Sequence, residues 1–80
     1  MGWNYRVVKR VIRDEPEYGI KEVYYNSQNG TIETWTRDYM EPYGNTIREL
    51  IEDINLMLEA VLHKPILEEK NGILIEIKEE

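Results

Sequence analysis

Residues 42–65 read PYGNTIRELIEDINLMLEAVLHKP, and from Pro42 to Leu62 they write out the start and body of one helix. Thr46 is the expected N-cap, Glu49 three residues on completes a capping box, and Gly44 and Asn45 supply the turn into it. Ile47, Leu50, Ile51, Ile54, Met57, Leu58 and Val61 recur at helical spacing, which predicts a packed face. Arg48, Glu49, Glu52, Asp53, Asn55 and Glu59 fill the opposite, wet side. His63 and Lys64 suit the negative pole of the helix dipole, and Pro65 disfavours a helical Lys64, so the helix ends there.

The flanking segments read as strands. Trp3 to Arg13 is rich in β-branched and aromatic residues, with Trp3, Tyr5, Val7 and Val11 on one parity. Asp14 to Glu17, which holds Pro16, reads as a turn. Tyr18 to Asn26 and Thr31 to Arg37 form a hairpin across Asn29 and Gly30, a pair suited to a type I′ turn; Asn29 to Thr31 also match a glycosylation sequon, read here as that turn. A tight turn sets Tyr24 opposite Trp35 and Tyr25 opposite Thr34, with Tyr18, Ile20, Tyr24 and Trp35 on one face and Val23, Tyr25 and Ile32 on the other. Tyr39, Met40 and Tyr43 make the loop before the helix unusually apolar, as core packing requires.

Past Pro65, Ile66 to Lys70 and Ile73 to Lys78 flank Asn71 and Gly72, a second hairpin signal that puts Ile66, Ile73, Ile75 and Ile77 on one face. This hairpin either extends the main sheet or pairs with another chain, its edge blunted by Lys70, Glu76 and Lys78. The expected fold is therefore α+β in the order β-β-β-α-β-β. Three N-terminal strands form an antiparallel sheet, one amphipathic helix packs on it, and a C-terminal β-hairpin follows, all in a single domain over residues 1–80.

The chain has 80 residues, no cysteine and a formal net charge of −6, so packing alone must hold it and an acidic cytoplasmic protein is the expectation. No apolar run approaches the roughly 20 residues of a membrane span, no signal-peptide pattern opens the chain, and Arg6 stands where a myristoylation signal needs Ser or Thr. No membrane association is expected.

Chemistry is sparse. His63 has no Ser, Cys or second His in a nucleophile arrangement, so no enzyme and no catalytic residue are expected. Glu49, Glu52 and Asp53 neighbour one another on the helix surface, yet no EF-hand or His-bearing metal motif accompanies them. The five glycines are scattered outside any phosphate-binding pattern; no metal and no cofactor are expected.

Binding is the better-supported class. Counting about 3.6 residues per turn, Leu56 points about 180° from Ile47, into the acidic face. With Glu52, Asp53 and Glu59 it is a candidate apolar centre of a polar-rimmed contact with a protein partner or in a homodimer, and the sheet face the helix leaves uncovered, with Tyr25, is the alternative docking surface. Residues 1–13 hold Arg6, Lys9, Arg10 and Arg13 with no acid, a local +4 that leaves −10 elsewhere. Arg6, Lys9 and Arg10 beside the aromatic residues are thus a candidate nucleic-acid contact, and a solvated strand face balanced by the chain's own carboxylates is the preferred alternative. A third reading has the carboxylates mimic a nucleic acid.

Two resemblances bear on this choice. Trp3 to Val8, Tyr18-Gly19-Ile20, Glu22 to Tyr25, Trp35-Thr36, Pro42 to Gly44, Thr46, Glu49, Leu50, Met57, Leu58 and Lys64-Pro65 together resemble a group of short uncharacterised bacterial proteins, over Trp3 to about Leu67. That resemblance implies no activity. Gly44, Thr46 and Glu49 are similar to the turn into the acidic helix of the HicB antitoxin N-terminal domain, which implies an inhibitor or antitoxin-like fold. This chain departs from that pattern: no Pro-Asp-x-Pro-Gly segment precedes the turn, and no helix-turn-helix follows.

Overall fold

The structure, a computed structural model, describes residues 2–78. Five strands and one helix follow in the order β1 Trp3–Ile12, β2 Glu15–Tyr25, β3 Ile32–Trp35, α1 Ile47–His63, β4 Ile66–Lys70 and β5 Ile73–Ile77. All five strands join one mixed sheet in the order β3-β2-β1-β4-β5, so the fold is α+β as expected and the C-terminal hairpin extends the main sheet.

The three N-terminal strands pair antiparallel as expected, but the sheet they belong to is mixed. β4 pairs with β1 in parallel, Val8 opposite Leu67 and Lys9 opposite Glu68. Because β3 runs parallel to β1, the chain must cross the sheet to enter β4, and parallel entry needs a long crossover, which α1 supplies. The basic first strand is consequently the centre of the sheet, with an edge strand at neither of its sides.

Two turns also differ from expectation. Arg13 and Asp14 alone reverse the chain between β1 and β2, with φ of 52° and 67°, and Pro16 stands inside β2 opposite Val11. Proline is tolerated there at the start of a strand. In the second hairpin, Asn26 N–H donates to the Thr31 carbonyl and Gly30 N–H to the Asn26 carbonyl, a wider loop than a two-residue turn. A bulge between Tyr24 and Tyr25 then sets Val23 opposite Trp35, Tyr24 opposite Thr34 and Tyr25 opposite Ile32. A one-residue shift moves a side chain to the other face, so Trp35 joins Val23 rather than Tyr24. The last hairpin is as expected, with Asn71 at φ 55° and Gly72 at φ 77° between paired Lys70 and Ile73.

Thr46 caps the helix, its Oγ1 accepting from Glu49 N–H at 3.1 Å, while Glu49 Oε1 accepts from the N–H of Asn45, one residue before the usual partner. At the other end Lys64 N–H donates to the Ala60 carbonyl. Small apolar clusters lie on both faces of the sheet. Tyr5, Met57 and Ala60 close one beneath the helix, flanked by Trp3, Ile20 and Met40. Val8, Val23 and Leu67 close the other, covered by Tyr25, Ile32, Trp35 and Leu74.

Candidate functional site

The helix meets the sheet on a side the hydrophobic pattern does not select. Of its apolar residues Met57 and Ala60 are buried and Leu50 is half-buried, while Ile47 is 73% exposed, Ile54 43% and Ile51, Leu58, Val61 and Leu62 about half or more. Relative to the expected packed face the helix is rolled by about 70°. Two features cause the roll. Tyr5 on the helix-facing side of β1 carries a hydroxyl into the contact, and Asp53 turns inward to accept it. Ala60, 0% exposed, lets the helix approach the sheet closely only on its own side.

What remains is an apolar ridge along α1, Ile47, Ile51, Ile54, Leu58, Val61 and Leu62, on the flank of the helix about 110° round from its buried side. Beside it lies a groove of about 570 Å³ whose floor is Val7, Tyr18, Ile20 and Ile66 and whose wall is Val61. Across Val61 and Ile66 it adjoins a second hollow that reaches Leu62 and Ile77. Strand alternation places Val11, Tyr18, Ile73 and Ile75 on this same side, each roughly half exposed. Ridge and groove form one apolar surface, beyond which Lys9 and Glu68 stand between Tyr18 and Ile75 on the sheet floor. Contiguous apolar surface on this scale marks interaction sites in folded proteins.

The residues singled out from sequence divide. Leu56, 53% exposed, and Glu59 line a separate hollow of about 300 Å³ with Trp3, Tyr5 and Lys64. Glu52 is exposed on the helix. Asp53 does not belong to a polar rim: its Oδ1 accepts from Tyr5 at 2.5 Å and its Oδ2 from Tyr43 N–H at 2.9 Å. Tyr25 lies on the opposite sheet face, half-buried, accepting from Arg6 and donating to Asn4. The structure brings Leu56 and Glu59 together and leaves Tyr25 apart from them.

The basic strand is likewise dispersed. Arg6 donates to the Pro65 carbonyl at 2.8 Å and Arg10 to Glu17 at 2.6 Å, both on the face away from the helix. Lys9 points to the helix side, its ammonium 5.8 Å from the Tyr18 ring centroid. Arg10 also lies over the Tyr39 ring, whose hydroxyl donates to Glu17. The hydrogen bonds from Arg10 and then Tyr39 hold the Glu17 carboxyl below its ordinary range.

The same far face buries one cation. Lys21 is 1% exposed, and its ammonium donates to the Arg37 carbonyl at 3.0 Å and to Glu69 at 2.9 Å, 5.5 Å from the Tyr39 ring. Burial pushes Glu69 up, but the hydrogen bonds from Lys21 and Trp35 outweigh it and leave this carboxyl below its ordinary range. Every buried polar side-chain atom among the described residues has a partner, so this network is a structural strut. No three His, Cys, Asp or Glu side chains gather among the described residues as a metal site would need. No helix there is long and apolar enough to cross a membrane.

The exposed ridge was hidden in the sequence because its residues read as core. One signal marks it. From Ala60 through Met57 and Ile54 round to Leu62 the apolar arc spans about 200°, roughly twice the stripe that packing on one sheet requires.

Comparison with protein-family models, with curated proteins and with solved structures finds no match.

Proposed function

We propose that this chain is a small non-enzymatic interaction module that works by protein contact through the ridge and groove on the helix side. The observation that carries the reading is the ridge itself: six large aliphatic side chains on one helix face, each at least 43% exposed, on a capped helix. Such a surface offers hydrophobic contact and little chemistry. An inhibitor or antitoxin-like role in the cytoplasm is one form of this activity, and Leu56 with Glu59 adds a smaller contact at the other flank of the helix.

The chain has no native cysteine, which permits a direct test. Ile54→Cys on the ridge and Ser27→Cys in the exposed β2–β3 loop are compared for thiol labelling in native lysate. The reading expects Ile54→Cys to react far more slowly than Ser27→Cys, with both reacting alike in denaturant. Equal rates in the lysate would show an uncovered ridge and refute a docking surface.

A nucleic-acid contact through Arg6, Lys9 and Arg10 is less well supported, since Arg6 and Arg10 are held by Pro65 and Glu17 and Lys9 faces the other way. Salt-dependent retention of single-stranded oligonucleotides, lost on Arg6→Ala with Arg10→Ala, is the result that would restore it.

A further inference from the structure

We infer that the occupant of this surface is a second copy of the same chain, packed so that the ridge of each protomer lies in the groove of the other. The inference rests on reading this side as a docking surface and names what docks there.

Surface area is the first ground. A monomer of 9.6 kDa is expected to expose about 5,100 Å². This chain exposes 6203 Å², an excess of about 1,100 Å², against the roughly 800 Å² per partner that a standard stable interface buries. The Cα radius of gyration agrees, at 13.2 Å where about 12 Å is expected for this length. The fold is thin for its mass because one helix covers only part of a five-stranded sheet.

Shape is the second. The raised ridge from Ile47 to Leu62 and the groove floored by Tyr18, Ile20 and Ile66 lie side by side on one surface. A two-fold axis between ridge and groove lets each fill the other, the self-complementary arrangement that an isologous dimer needs. The third ground is supply. The incomplete cover is a permanent feature of the fold, and a second copy is the one partner present wherever the chain is present. The six ridge residues carry no charge, so the helix ridges of two chains of −6 add no carboxylate of their own to the seam. An external partner chosen to suit so acidic a chain would instead seek a charged site.

The test uses the full purified chain. Sedimentation across low to high micromolar concentration is expected to give twice 9.6 kDa, and the Tm is expected to rise with protein concentration. Ile54→Glu and Leu58→Glu each place a charge in the seam at positions where helix propensity is kept, and are expected to weaken association at least about a hundredfold. Variants that become monomeric, folded or unfolded, support the inference when the wild type is a dimer with a concentration-dependent Tm. A dimer that persists in both variants overturns it, because the seam then lies elsewhere. A wild type that stays monomeric throughout also overturns it. In that case slow labelling of Ile54→Cys in lysate keeps the docking surface for another partner, and fast labelling there removes both.

Discussion

The hydroxyl of Tyr5 donates to Oδ1 of Asp53 at 2.5 Å, and this bond selects the side of the helix that meets the sheet. Asp53 also accepts from Tyr43 N–H, so one carboxylate joins the first strand, the helix and the loop that leads into it. A helix packed on its most apolar stripe would bury the Tyr5 hydroxyl without an acceptor, at a cost of about 1–3 kcal/mol. The roll that satisfies this hydroxyl is the roll that leaves Ile47, Ile51, Ile54 and Leu58 outside.

Tyr5→Phe should lower stability at neutral pH by about 1–2 kcal/mol, read from urea unfolding, because Asp53 keeps its bond from Tyr43. Burial first, then the hydrogen bond to Asp53 and its charge, raise Tyr5 well above its ordinary value of 10.0. A raised folded value contributes stability that is complete below about pH 10 and lost as pH rises through the folded value. The gap between wild type and Tyr5→Phe should therefore close at strongly alkaline pH. Tyr24, raised by its hydrogen bond to Glu22, and Tyr39, raised by burial and then by Glu17, leave a smaller alkaline loss in the variant. A gap that stays constant above pH 10 would contradict the assignment.

The Lys21–Glu69 pair should respond asymmetrically. Glu69→Ala leaves a fully buried ammonium with the Arg37 carbonyl and the Tyr39 ring and is expected to cost about 3 kcal/mol or more. Lys21→Met combined with Glu69→Leu removes both charges and should lie closer to wild type, since the pair's attraction largely offsets its desolvation. Glu69 is lowered in the fold, so its contribution is present above the ordinary carboxyl value of 4.5 and fades as pH falls through the folded value. Glu69→Gln should flatten the acid limb of the stability profile. A double variant less stable than Glu69→Ala would show that the ion pair stabilises the fold outright.

Local chemistry was legible and long-range pairing was not. Thr46, Glu49 and Pro65 bracket α1 almost to the residue, and Asn71-Gly72 marks its hairpin, because caps and type I′ turns are written in adjacent residues. Parallel docking of Leu67 beside Val8 joins residues 59 positions apart and leaves no such mark. The bulge at Tyr24 and Tyr25 shifts the partner of Trp35 by one, which parity counting from Asn29-Gly30 has no means to detect. At the candidate site, Leu56 and Glu59 lie together as read, but Asp53 is claimed by Tyr5, a contact that helix periodicity does not carry. The ridge reads as core from its apolar spacing, since a pattern records which residues are hydrophobic and not which of them find a partner.

Gly19→Ala should destabilise the fold by about 1–3 kcal/mol, read as a lower midpoint in urea. A Cβ at position 19 would stand 2.2 Å from the Tyr39 ring. To make room the ring must leave Arg10, Lys21 and Glu17 together. Tyr39→Ala in the same chain should remove most of the added penalty, since the clash has no other partner so near. Additive costs for the two substitutions would mean that the ring does not sit where Gly19 requires it.

The β1–β2 turn offers a gain in place of a loss. Arg13 and Asp14 both hold positive φ, a region in which a side chain with a Cβ is strained by about 1 kcal/mol, less for Asp than for Arg. The chain's other two-residue hairpin uses Asn71 and Gly72 for the same geometry. Replacing Arg13 by Asn and Asp14 by Gly imports that solution without touching the paired Ile12 and Glu15. The extra flexibility of glycine in the unfolded chain offsets part of the relief, so a net gain of about 0.5–1 kcal/mol is expected. Arg13→Asn alone should keep most of it, because of the two turn residues arginine is the less suited to the left-handed region. The check is the urea midpoint at an unchanged slope, which assigns the shift to stability and not to the compactness of the unfolded state. An unchanged or lower midpoint would show that the reversal at Arg13 and Asp14 is not the two-residue turn in which both residues carry positive φ.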